Sequence, residues 1–187
     1  MITDPELKRV FKNGFQTAYT RDKNLKEYIG RAKLWPQNRQ SQRVLNEVGW
    51  KPCTKLCMAC IHSKGPMKYV YMHYKKEKFM VKHKLKCTDK NVIYVIDCLK
   101  CLIQYMCSIE GTFKDRATQW RSDIGLNTKT DKVVAHFNTK GHSLSLHFQM
   151  VPVEKVYGDS DTRKIRERMY VDYYDLIEHG LNTNRTT

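Results

Sequence analysis

Long apolar runs are missing from this chain of 187 residues. None approaches the roughly 20 apolar residues that a membrane span needs, and no signal-peptide pattern opens the sequence. A membrane-spanning protein and a secreted one are both disfavoured, so the expectation is a soluble, intracellular chain with no membrane partner. Acidic charge is also scarce. Lys and Arg number 34 against 19 Asp and Glu, a formal net charge of +15, and the basic residues run along the whole length. That surplus favours a polyanionic partner, nucleic acid before a lipid surface.

With an intracellular location expected, the seven cysteines are expected to be ligands rather than disulfides. In a reducing compartment thiols serve more often as metal ligands than as disulfides. Their positions are 53, 57, 60, 87, 98, 101 and 107, and six of them stand in Cys-x2-Cys or Cys-x3-Cys pairs or close to one. Cys53, Cys57 and Cys60 form a knuckle. Cys87 follows after a hairpin pattern, MKYVYMHY and FMVKHKL around a charged KKEK turn. Four thiolates suit a closed tetrahedral Zn2+ site, with His62 and His83 as alternatives to Cys87. The second pair, Cys98 and Cys101, finds partners in His136 and His142, a Cys2His2 set of wider spacing than a common zinc finger. Tyr69, Tyr71 and Tyr74 suit stacking on bases, although strand packing is the more common role for such residues.

Three segments are expected: a helical, basic connector over 1–49, a zinc-knuckle and β-hairpin unit over 50–90, and a catalytic unit over 91–187. In the connector LKRVFKNG reads as a short helix ended by Gly14. RDKNLKEYIGRAKL gathers Leu25, Tyr28, Ile29 and Ala32 on one helical side, and Pro36 with NRQSQR marks a boundary. In the last unit NVIYVID and LIQYMCSI read as strands. FKDRATQWRSDI reads as a helix capped by Thr112, on which Arg116 and Trp120 share a face. DKVVAHFNTK is a second helix, and Leu144 to Val156 a third strand. TRKIRERMYVDYYDLIEHG is a last helix, with Ile165, Met169, Val171, Tyr173 and Leu176 expected inward and Gly180 at its end. Glu167, among Arg163, Arg166 and Arg168, reads on spacing alone as a surface ion pair.

Taken together, NLKEYIGRAKL, the Cys53/Cys57/Cys60 knuckle, NVIYVIDCLKC, QYMC, DRATQWRSDI, VVAHFNTKGHS, RERMY and GLN resemble the GIY-YIG endonuclease domain of Penelope-like retroelements, over roughly residues 20 to 184. The resemblance implies an α/β (α+β) fold, a small three-stranded sheet flanked by helices. Tyr94 and Tyr105 match the tyrosines of the two motifs, Arg116 the helix arginine, Glu167 the carboxylate that holds one Mg2+ or Mn2+, and Asn182 a late asparagine near the site. Cys98, Cys101, His136 and His142 match a Cys2His2 zinc set inserted in that fold. Implied with these are target DNA and element RNA as partners, a reverse transcriptase domain of the same element, a nuclear location, and nicking that primes reverse transcription.

The residue types suit that chemistry. Phosphodiester cleavage needs an activated water, a metal on the phosphate oxygens and fixed positive charge, and a guanidinium supplies the last in bidentate form. The chain departs from the family pattern at three places: Cys107 stands where the second motif ends in glycine, Ile109 where threonine is usual, and Trp120 where histidine is common. The alternative reading is therefore a catalytically impaired, zinc-stabilised nucleic-acid-binding module.

Overall fold

A computed structural model describes residues 48–53, 57–63, 65–127 and 131–183. The connector expected over 1–49 falls almost wholly outside the described residues. Among the described residues no helix is long and apolar enough to cross a membrane.

The run NVIYVIDC carries apolar side chains at consecutive positions, so as a strand it must be covered on both faces. It forms β5, Lys90–Cys98, with Val92 to Cys98 all buried. β6, Gln104–Thr112, lies antiparallel on one side and β7, Phe148–Lys155, antiparallel on the other, giving the sheet order β6-β5-β7. The expected three-stranded sheet is present, in a mixed α/β fold. Pro152 sits within β7, which tolerates it as an edge strand. The β5–β7 register slips between Ile93 and Tyr94, where Tyr94 faces Pro152. Such a bulge bends a strand and re-aims its side chains.

Before the sheet come β1 (Gly49–Trp50), the short helix α1 (Met58–Ile61), and the expected hairpin, β2 (Tyr69–Met72) with β3 (Glu77–Met80), followed by β4 (Lys84–Leu85). After β6, Thr112 caps α2, Phe113–Leu126, by accepting from the Asp115 N–H. α2 turns Phe113, Ala117, Trp120 and Ile124 inward at helical spacing. Asp131 likewise caps α3, Lys132–Phe137. The expected third strand is shortened by a one-turn helix α4, Leu144–His147, ahead of β7.

The last helix, α5, Ser160–Tyr173, is capped by Asp159. Its inward face needs correction. Ile165, Met169 and Tyr173 are exposed at 61%, 54% and 58%, and the buried side carries Arg163, Glu167 and Val171, with Tyr174 beyond the helix end. The surface beneath this helix is polar, which is why an apolar stripe does not select the docking face. Arg163 donates to Asn91 Oδ1 and Glu110 Oε2. Arg166, Tyr170 and Lys82 all converge on the buried Glu154 carboxylate of β7.

β6 would otherwise leave an unpaired edge, which exposes backbone groups and invites other strands. Here the edge is closed from within the chain. Leu181 N–H donates to the Gln104 carbonyl at 2.8 Å. Asn182 accepts from Met106 N–H at 3.0 Å and donates to the Met106 carbonyl at 2.7 Å. Glu167 Oε2 accepts from Ser108 N–H at 3.0 Å and from the Ser108 hydroxyl at 2.6 Å. Gly180 permits this approach, because a Cβ there would lie 2.6 Å from both the Gln104 and Leu176 carbonyl oxygens.

Candidate active site

Directly opposed residues of an antiparallel pair share a face, and Tyr94 is opposite Cys107 while Ile96 is opposite Tyr105. Tyr94, Tyr105 and Cys107 therefore project together from the sheet toward α2. There Arg116 Nε and Trp120 Nε1 both donate to the Tyr94 hydroxyl, each at 3.0 Å. Arg116 is steadied twice more: its Nη1 donates to Gln119 Oε1 at 2.7 Å, and its guanidinium lies 4.5 Å from the Trp120 ring centre. Tyr105 packs edge-on against Trp120 with ring centres 5.7 Å apart. Glu167 meets the same strand from its outer edge at Ser108, next to Cys107.

The Cys107 sulfur is the hub of this cluster. It lies within hydrogen-bonding reach of both phenols, and the charges of Glu167 and Arg116 both act on it. Burial and then the Glu167 carboxylate push its thiol up, outweighing the phenols and Arg116. Burial also pushes both phenols well above the ordinary tyrosine range, with Cys107 adding to the rise in each. For Arg116 burial acts downward, and Tyr94, Cys107 and Tyr105 outweigh it to raise the pKa.

A hydroxyl oxygen has two lone pairs. At Tyr94 both are engaged, by Arg116 and Trp120, and the residue is fully buried. The neutral Tyr94 hydroxyl can then only donate, and Cys107 is within reach to accept. In this arrangement Tyr94 orients Arg116 and does not take a proton. Asn182 is engaged by the β6 backbone through both ends of its amide, so it positions the strand that carries Tyr105 and Cys107.

The residues that escaped the sequence reading are Ser108, which holds Glu167, and Gln119, which holds Arg116. Ser108 had no sequence signal, because which strand N–H groups face outward depends on pairing. Trp120 had one, its four-residue spacing from Arg116.

Among the described residues two thiol-bearing clusters could hold a metal ion, beside a largely exposed group of Asp175, Glu178 and His179. Within each set, Cys53, Cys57, Cys60 and Cys87, and Cys98, Cys101, His136 and His142, the ligand atoms all lie within 4.8 Å of one another. Sulfurs bound tetrahedrally at roughly 2.3 Å from zinc stand about 3.8 Å apart. Cys53 Sγ is 3.5 Å from Cys60 Sγ and 3.3 Å from Cys87 Sγ, which fits. Cys87 joins the knuckle, whereas His62 packs on Phe148 and the His83 ring accepts from Lys155 N–H. In the second set Cys101 Sγ is 3.2 Å from His142 Nε2, and His136 Nε2 is buried with no hydrogen-bond partner. An orphaned imidazole nitrogen facing two thiols fits a metal ligand. Burial and His142 also push the His136 pKa down, toward the neutral form that binds metal.

The clusters sit at the ends of the frame that carries the phenols. The Cys87 carbonyl accepts from Lys114 N–H in the first turn of α2. Cys98 is the last residue of β5, four after Tyr94.

No protein-family model matches the chain, and no curated protein does. Among solved structures the chain is similar to the catalytic domain of the homing endonuclease I-TevI, at 20% identity and a TM-score of 0.44, over 50% of this chain and 97% of that one.

Proposed function

We propose that the chain is a metal-dependent DNA endonuclease of the GIY-YIG type, with two structural Zn2+ ions and one catalytic Mg2+ or Mn2+. The observation that carries the reading is the buried Glu167 carboxylate held by Ser108, one residue from Cys107, which is paired across the strands with Tyr94. Among ordinary proteins a glutamate between three arginines on a helix ends in a surface ion pair. This one is 3% exposed and faces the sheet edge.

In this reading Glu167 binds the divalent ion. One carboxylate suffices for Mg2+, which retains most of its waters. When bound, the ion supplies Lewis-acid charge on the phosphate and lowers the pKa of bound water. Arg116, fixed by Tyr94, Gln119 and Trp120, donates to a phosphate oxygen. Tyr105, the less buried phenol, orients the attacking water. Asn182 keeps β6 in register. The basic surface holds the DNA through salt-sensitive phosphate contacts. A role in nicking target DNA so that its 3′ end primes reverse transcription, for a Penelope-like retroelement in the nucleus, beside its reverse transcriptase and RNA, belongs to the same proposal.

The test is nicking of supercoiled plasmid with Mg2+ or Mn2+. The parent chain should nick, and Glu167→Gln and Arg116→Ala should reduce nicking to background while duplex binding persists. Nicking at parental rate in both variants would remove these roles.

A second reading is supported by Cys107. It is buried opposite Tyr94 on the face the phenols share, and the Tyr94 lone pairs are taken, so in this reading the chain is instead a nucleic-acid-binding module with little cleavage. Cys107→Gly then separates the two: a gain in nicking assigns the block to the sulfur, and no gain clears Cys107 of blame.

A further inference from the structure

The β2–β3 hairpin carries a surface that none of these roles uses. Val70, Met72 and Phe79 face inward, and the alternate positions face solvent. Tyr69 and Tyr71 are 43% and 42% exposed. Across the hairpin they meet Met80 and Lys78, which are exposed too. The Lys78 ammonium lies 4.6 Å from the Tyr69 ring centre, and Tyr71 stands edge-on to His73. Outward tyrosines on a strand are common. Two on one face, both partly exposed and flanked by lysines, are less so. From Met67 to Lys86 the sequence holds seven lysines against one acidic residue, Glu77.

The patch is also held rigidly. Gln104, buried at the start of β6, donates to the Tyr71 carbonyl at 2.9 Å and accepts from His73 N–H at 3.1 Å. The His73 ring contacts Asp97 of β5 at 3.1 Å. The clamp reaches the platform from the residue just before Tyr105.

We propose that the outer face of this hairpin binds single-stranded nucleic acid, with Tyr69 and Tyr71 each stacking on one base and the neighbouring lysines meeting the phosphates. The spacing disfavours a regular, fully stacked duplex as the partner. Residues two apart on a strand stand about 6.6 Å apart, nearly twice the roughly 3.4 Å between stacked bases of a duplex strand. Bases must be unstacked and splayed to meet both rings, as aromatic platforms require of single strands. The proposal shares with the nuclease reading only the polyanionic partner.

The test uses the full, zinc-loaded chain and fluorescence anisotropy with labelled oligo-deoxythymidine, oligo-uridine and a mixed-sequence duplex. Tyr69→Ala and Tyr71→Ala should each weaken single-strand binding roughly tenfold, the scale of one lost base stack, and should leave duplex affinity within about twofold. Tyr69→Phe and Tyr71→Phe keep the ring and should bind as the parent does. Loss with one oligonucleotide alone shows which of the two strands the hairpin prefers, the pair differing in sugar and in the thymine methyl. Equal loss for strand and duplex, loss in the Phe variants, or no loss with either oligonucleotide overturns the proposal. A parent chain that never nicks would end the nuclease reading and leave this difference in place. Parental binding by the Ala variants would end this proposal and leave nicking untouched.

Discussion

Tyr94 and Trp120 allow the hydrogen bonding of the site to be measured as a free energy. Tyr94→Phe removes an oxygen that accepts from two donors. The half-buried Arg116 can turn to water or to Gln119. The Trp120 indole cannot, because the residue is 1% exposed. A buried donor left without a partner costs about 1–3 kcal/mol. Trp120→Phe removes that donor and leaves a smaller ring, a packing loss that recurs in the double variant and cancels in a cycle. The double variant has neither oxygen nor indole N–H, hence no orphan. It should therefore be less destabilised than the sum of the two single variants by about 1–2 kcal/mol. Urea unfolding of the four zinc-loaded proteins measures the difference. Additivity within about 0.5 kcal/mol, the ordinary behaviour of uncoupled sites, would refute the claim that this hydroxyl holds Trp120. Tyr94→Phe should also lower plasmid nicking, since Arg116 loses one of its fixed contacts.

Three other outcomes are expected. Asn182→Ala leaves both polar groups of Met106 unpaired at a buried edge and should cost about 2–4 kcal/mol in the same unfolding assay; a loss under about 0.5 kcal/mol would mean that water replaces the amide. The Glu154 carboxyl is held low, with burial opposed and outweighed by Tyr170, Arg166 and Lys82. A depressed folded pKa means stability that is present above the ordinary glutamate pKa and is lost as pH falls below it through the lower folded value. The stability gap between the parent and Glu154→Gln should shrink through that window, and a gap constant with pH would refute it. Elemental analysis should find two zinc ions per chain, and Cys98→Ser should hold one and unfold more readily. Fewer than one ion in the parent would reject both sites.

Most of the framework was legible in the sequence because it rests on local rules. Apolar runs marked β5 and β6 and alternation marked the hairpin, while Thr112 marked a helix start. The cysteine and histidine spacings anticipated both four-residue clusters. The errors came where one element answers to another. The docking face of α5 was misassigned because its partners are a bare strand edge and a buried carboxylate, and an apolar stripe is no guide to either. Glu167 reads as a surface residue for the same reason. The hub position of Cys107 follows from its cross-strand pairing with Tyr94, which spacing along the chain does not reveal.

The closure of β6 by Leu181, Asn182 and Glu167 has a consequence for assembly. A strand margin whose amides are already taken offers nothing for a neighbouring molecule to zip onto, so the sheet resists growing by addition of foreign strands. A chain cut after Gly180 would lose the Leu181 and Asn182 part of that seal, and light scattering should then reveal clumping that the intact chain avoids. The few residues beyond the last helix thus act as a guard against self-adhesion as well as a support for β6.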